Sequence, residues 1–165
     1  MKRLAALLAA TGLIVVTTVV ASSAARSPKT IKAIGRNSFL RNALIQSTFR
    51  FAQDRVVVAT NETIKFTSAS AGPEPHTLTI IPKSLRPNNV GDVFGCRYCQ
   101  KVLRRHSSTH SHRLNAGAAG LNQRGDSLFA AAHKSISAKV TAPKGSTLYF
   151  VCAVHPWMQG KILVR

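Results

Sequence analysis

The feature that most constrains this chain is alternation. Downstream of Asp54 it proceeds in short runs with a two-residue period, separated by turn residues. A period of two places successive side chains on opposite faces of an extended strand, so each run offers one apolar face to a core. In "ETIKFT", Ile64 and Phe66 alternate with Thr63, Lys65 and Thr67; the preceding "DRVVVATN" reads as a strand entering a turn at Asn61, and the two are expected to pair as a hairpin. "HTLTII" alternates again until Pro82, which cannot donate to a strand ladder, stops it. "SISAKV" puts Ile136, Ala138 and Val140 on one face, "APKGS" makes a turn, "TLYFV" aligns Leu148 with Phe150, and "KILV" closes the chain. About six or seven such strands with weak helical periodicity predict a small antiparallel sandwich or barrel.

The 165 residues suffice for one domain. Residues 1–25 begin with Lys2 and Arg3, continue as an uncharged apolar run and end in small residues, which is the form of an export signal or, if retained, of an N-terminal anchor. Residues 26–41 read as a basic extension, and 42–165 as the folded domain. Alternation breaks between about residues 83 and 127, where Pro, Gly, Asn, Arg and His predominate. This stretch is expected to be an irregular or partly helical insertion: "DVFGCRYCQKVLRR" can form a short helix, and "RRHSSTHSHRLNAGAAG" has low-complexity character.

Charge narrows the partners. With 23 Lys and Arg against 5 Asp and Glu, the formal balance is +18. Such a surface favours acidic protein partners, an anionic membrane or a cell-wall polymer. Nucleic acid is not expected, because the basic residues are scattered and lack an aromatic stacking platform. A monomer is expected.

An exported chain with three cysteines leaves one thiol to explain. Cys96 and Cys99 are spaced to form a disulfide, a thioredoxin-like redox pair, or half of a weak second metal site completed by His106, His110 and His112. Cys152 is the remaining thiol. It opens "CAVHPWMQG", where Cys152, His155 and Met158 recur at intervals of three on a turn between two strands, with Gly160 expected to let the chain reverse. A second imidazole is available from His76, placed where "GPEPH" enters a strand. Two imidazoles, a thiolate and a distant thioether form the donor set that suits copper in both oxidation states. The chemistry implied is one-electron transfer at a single copper.

The stretches "EPHTLTI" and "YFVCAVHPWMQGKI" together resemble the copper site of the cupredoxins, small type 1 blue copper proteins. The short Cys-to-Met spacing with Pro directly after His is most similar to amicyanin, with plastocyanin as a longer-loop relative. The resemblance covers roughly residues 45–82 and 126–165. It implies an all-β, Greek-key β-sandwich in which His76, Cys152, His155 and Met158 are the metal ligands. It also implies redox protein partners that dock on an apolar patch around the second ligand His, supplied here by Pro156 and Trp157. The expectation is therefore an exported, periplasmic or extracellular electron carrier and not an enzyme. The alternative is an extracytoplasmic copper carrier or scavenger that uses the Cys and His residues of the insertion.

Overall fold

The computed structural model describes residues 28–165, so the export segment expected over residues 1–25 lies outside them. In chain order, β1 (Lys29–Ile34), β2 (Asn37–Leu40), β3 (Leu44–Ser47), β4 (Arg50–Phe51), β5 (Arg55–Val58), β6 (Thr63–Ser68) and β7 (His76–Ile81) precede helices α1 (Val90–Phe94) and α2 (Arg97–Thr109). They are followed by β8 (Arg113–Leu114), β9 (Ser127–Ala130), β10 (Ser135–Lys139), β11 (Thr147–Val151) and β12 (Gln159–Val164). No helix among the described residues is long and apolar enough to cross a membrane.

The alternating runs build two sheets, ordered β10-β6-β1-β4 and β5-β12-β11-β7-β9-β8. Their apolar faces meet in one core. Ile31, Phe51, Ile64 and Phe66 come from the smaller sheet, and Leu78, Leu128, Phe150 and Ile162 from the larger. The Phe51 ring meets Phe150 edge-on across the interface, with centroids 5.0 Å apart. The architecture is the expected all-β sandwich. Most pairings are antiparallel, but β1 with β6 and β5 with β12 are parallel.

Two local expectations need correction. β5 and β6 do not form a hairpin, since β5 pairs with β12 in the larger sheet and β6 lies between β10 and β1 in the smaller. Alternation fixes which residues face the core and leaves open which sheet carries them; the turn at Asn61, in the left-handed region at φ 66°, carries the chain across. The basic extension over residues 26–41 contains β1, whose Ile31 and Ala33 are fully buried. Lys29 shares the parity of the buried Ile31 and Ala33, and Ile34 shares that of the exposed Lys32, which masks the strand's period of two.

The insertion is also ordered. Asn89 caps α1 by accepting from the Asp92 N–H, and the Cys96 sulfur caps α2 by accepting from the Cys99 N–H at 3.2 Å. Cys99, Val102 and His106 form the buried stripe of α2, at helical spacing. This stripe covers the outer face of the larger sheet, where Cys99 and Val102 join Ile81, Val151 and Ala153 in a second core. β7 is consequently buried on both faces. The "NAGAAG" stretch is held by the buried Asp126 carboxylate, which accepts from the backbone N–H groups of Ala116, Asn122 and Gln123 at 2.8–2.9 Å.

Candidate metal centre

Two neighbouring strands of the larger sheet converge at one end of the sandwich. β7 starts with His76, and β11 delivers the chain to Cys152 one residue beyond its last strand position. The following loop is tight. The Cys152 N–H donates to the Met158 carbonyl and the Met158 N–H to the His155 carbonyl, both at 2.9 Å, which folds His155 back over Cys152. Gly160 does not make the turn: it lies within β12, and a Cβ there would come within 2.4 Å of the Phe150 ring and 2.5 Å of the Asp54 carbonyl oxygen. Close packing requires the glycine.

His76, Cys152 and His155 present their donor atoms to one another. The two Nδ1 atoms are 3.2 Å apart, and the Cys152 sulfur lies 3.7 Å from His76 Nδ1 and 3.9 Å from His155 Nδ1. A trigonal ion with bonds of about 2.0 Å to nitrogen and about 2.3 Å to sulfur would separate the nitrogens by about 3.5 Å and each nitrogen from sulfur by about 3.7 Å. The triangle has the right size for one ion. Among the described residues this is the one cluster of His, Cys or acidic side chains assembled as metal ligands. Met158 is buried in the same core cluster as Cys152.

The surroundings orient the donors. His76 Nε2 is 3.2 Å from the Ser70 hydroxyl, which leaves Nδ1 for the centre. The Cys152 sulfur accepts from the Thr77 N–H at 3.4 Å. Phe49 packs against both imidazoles, edge-on to His76 and tilted to His155, with centroids 5.1 Å and 4.6 Å away, and its carbonyl accepts from the Trp157 indole N–H at 3.1 Å. Burial, reinforced by the neighbouring His155 and opposed by Glu74, lowers the His76 pKa to about 4, and burial also lowers that of His155. Both rings are neutral lone-pair donors at neutral pH. Burial raises the Cys152 thiol, against the pull of the Thr77 N–H, so the thiolate forms when a cation is there to stabilise it.

The remaining predicted site residues divide clearly. Cys96 and Cys99 are joined in a disulfide with Cα atoms 5.3 Å apart and are closed to a metal. His106, His110 and His112 do not assemble a second site. Both His106 nitrogens are engaged, His110 is an exposed left-handed cap at the end of α2, and His112 is exposed with its ring beside Phe129. In the predicted docking patch, Trp157 is 41% exposed but Pro156 is buried.

One feature of the site had no signal in the sequence. His106 Nδ1 lies 2.6 Å from the Ser111 carbonyl, so it must donate there, and Nε2 is left as an acceptor for the Ser127 hydroxyl at 2.9 Å. Ser127 then accepts from Thr79 at 2.8 Å, Thr79 from Thr77 at 3.0 Å, and Thr77 from the Ala153 N–H at 2.7 Å. This buried one-way chain links the insertion helix to the residue beside Cys152. Burial lowers the His106 pKa, against the hydrogen bond to the Ser111 carbonyl and with smaller help from His112 and Arg105, which favours the neutral ring.

No protein-family model and no curated protein matches the chain. Among solved structures it is similar to auracyanin A, a "blue" copper protein from Chloroflexus aurantiacus, at 18% identity and a TM-score of 0.47, covering 84% of this chain and 99% of that one. It is also similar to a reduced Cu(I) form of an amicyanin variant, at 11% identity and a TM-score of 0.44, covering 90% and 92%. A reduced auracyanin from Roseiflexus castenholzii matches at 17% identity and a TM-score of 0.43, covering 70% and 87%. Likeness at this level carries no assignment, so the chemistry rests on the site.

Proposed function

We propose that the chain is an exported type 1 copper protein that carries single electrons between redox partners. The observation that carries this reading is the buried triangle of two imidazole nitrogens and one sulfur, sized for a trigonal ion. His76, Cys152 and His155 would hold copper, with Met158 as a weaker fourth donor; such a donor set suits both Cu(I) and Cu(II). Bound copper would supply the one-electron couple. The protein's part is to fix the donors before the electron arrives: Ser70 orients one ring, Phe49 packs against both, and the Thr77 N–H offsets charge on the sulfur.

Carriage is favoured over catalysis because His76, Cys152 and His155 are buried, leaving no open face for a substrate. The outward route runs through His155, whose ring lies 5.2 Å from that of the part-exposed Trp157. The copper-scavenger alternative relied on donors in the insertion. Its cysteines are paired and His106 is engaged, so that reading has less support.

The test is to add one equivalent of Cu(II) and record the visible spectrum before and after a mild reductant. An intense thiolate-to-copper band that bleaches on reduction and returns on reoxidation is expected. A pale solution with loosely held copper would refute the proposal.

A further inference from the structure

We propose that the β2–β3 hairpin seats this protein on an anionic lipid bilayer. The hairpin leaves the sandwich as a separate two-stranded ribbon, and every residue from Arg36 to Thr48 is exposed. Its base is clamped. Gly35 adopts φ 115°, where a Cβ would lie 2.4 Å from the Thr48 carbonyl oxygen, and the Thr48 N–H donates to the Arg36 carbonyl at 2.9 Å. The next residue is Phe49, which covers the metal centre. The ribbon therefore projects from the end of the molecule that holds the site.

Its outer half is apolar on both faces. Phe39 pairs with Ile45 and Leu40 with Leu44, and consecutive pairs in a strand point to opposite sides. Phe39 and Ile45 are 72% and 78% exposed on one face; Leu40 and Leu44 are 62% and 50% exposed on the other. A protein partner docked on one face would leave the other pair in water, whereas a fluid acyl layer surrounds both. Phe94 and Trp157 extend the first face across a groove of about 490 Å³. Trp is suited to the interface between headgroups and hydrocarbon.

Charge selects the kind of surface. Arg36, Arg41 and Arg50 stand on the ribbon and at its base, all exposed, and no acidic residue occurs between Arg36 and Gln53. Arg41 at the tip can run its stem along the apolar pairs while its guanidinium reaches lipid phosphates, which fits a shallow seat at headgroup depth. A second copy of the chain is disfavoured as occupant, because two surfaces of formal charge +18 repel.

The test uses the chain from residue 26 onward, without the apolar N-terminal run, with sucrose-loaded vesicles of phosphatidylcholine alone or with 30 mol% phosphatidylglycerol, read by co-sedimentation and by emission of Trp157, the only tryptophan. Binding to the anionic vesicles should weaken steeply with salt, and Trp157 emission should shift to the blue. Replacing all four residues (Phe39→Ser, Leu40→Ser, Leu44→Ser, Ile45→Ser) should weaken binding at least tenfold, and each face's pair alone should weaken it measurably, with the thermal midpoint retained. Equal binding to neutral vesicles, an unaltered partition of the fourfold variant, or binding with unchanged Trp157 emission would overturn the proposal. So would hairpin-dependent binding of soluble polyglutamate in place of vesicles.

Discussion

The 152–158 loop and the 83–127 insertion both carry cysteine and histidine, and the structure uses them in opposite ways. In the loop, Cys152 and His155 point at a shared centre with free donor atoms. In the insertion, Cys96 is bonded to Cys99, and His106 spends both nitrogens on hydrogen bonds. The first set is arranged to receive an ion, and the second to brace the sheet that carries the first. Residue type is thus a weaker guide than whether the lone pairs are already committed.

The sharpest way to break this contrast is to remove one sulfur at a time. Cys152→Ser should abolish the thiolate-to-copper band and tight Cu(II) binding, whereas Cys96→Ser with Cys99→Ser should leave the band in place and lower only stability. Colour surviving without Cys152, or vanishing with the insertion pair, would reverse the roles of the two regions. Met158→Leu sits between these extremes: with Met158 as the fourth donor proposed above, the band should remain and the reduction potential should move, because a weak fourth donor tunes more than it holds.

Acid should act on both regions in the same direction in the metal-free protein. The pKa of His76 is lowered from 6.5 to about 4, and those of His155 and His106 are also lowered, with burial the first cause for each. Between those values the unfolded chain binds more protons than the folded one, so stability falls as pH drops through 6.5 toward 4. His76 alone accounts for roughly 3 kcal/mol of that loss. Cys152 acts at the other end: its raised thiol loses stability as pH climbs past the ordinary thiol value of 9.0. Urea midpoints measured from pH 4 to pH 10 should trace a plateau bounded on both sides, and a flat acid limb would show that the buried rings do not resist protonation.

The sandwich and the ligand loop were legible in the sequence because both are local. Ile64 and Phe66 declare a buried face within six residues, and Cys152, His155 and Met158 declare a shared turn within seven. His76 could be added because a Pro-His entering a strand is also a local signal. What escaped depends on partners far along the chain. The buried role of β1 needed β6 beside it, and Phe49 gains its position against the imidazoles from a hairpin that no two-residue pattern marks. The buried stripe of α2 contains a cysteine and a histidine, so low apolar content concealed a packing face.

The smallest effect tests whether the insertion reaches the site. In the chain from the Ala153 N–H through Thr77, Thr79 and Ser127 to His106, every hydroxyl donates toward the helix and accepts from the side of the loop. Thr77→Val removes the acceptor for the Ala153 N–H, and His106→Leu removes the last acceptor, for the Ser127 hydroxyl. Each leaves a buried donor unpaired and should cost about 1–3 kcal/mol in urea unfolding. Once Thr77 is gone the chain is already cut, so the second substitution should cost less than it does alone. A double-mutant cycle should therefore give a coupling of about 0.5 kcal/mol or more between residues on different elements. Additive costs would mean that the two ends are separate packing sites, and that the helix covers the sheet without steadying the Cys152 loop.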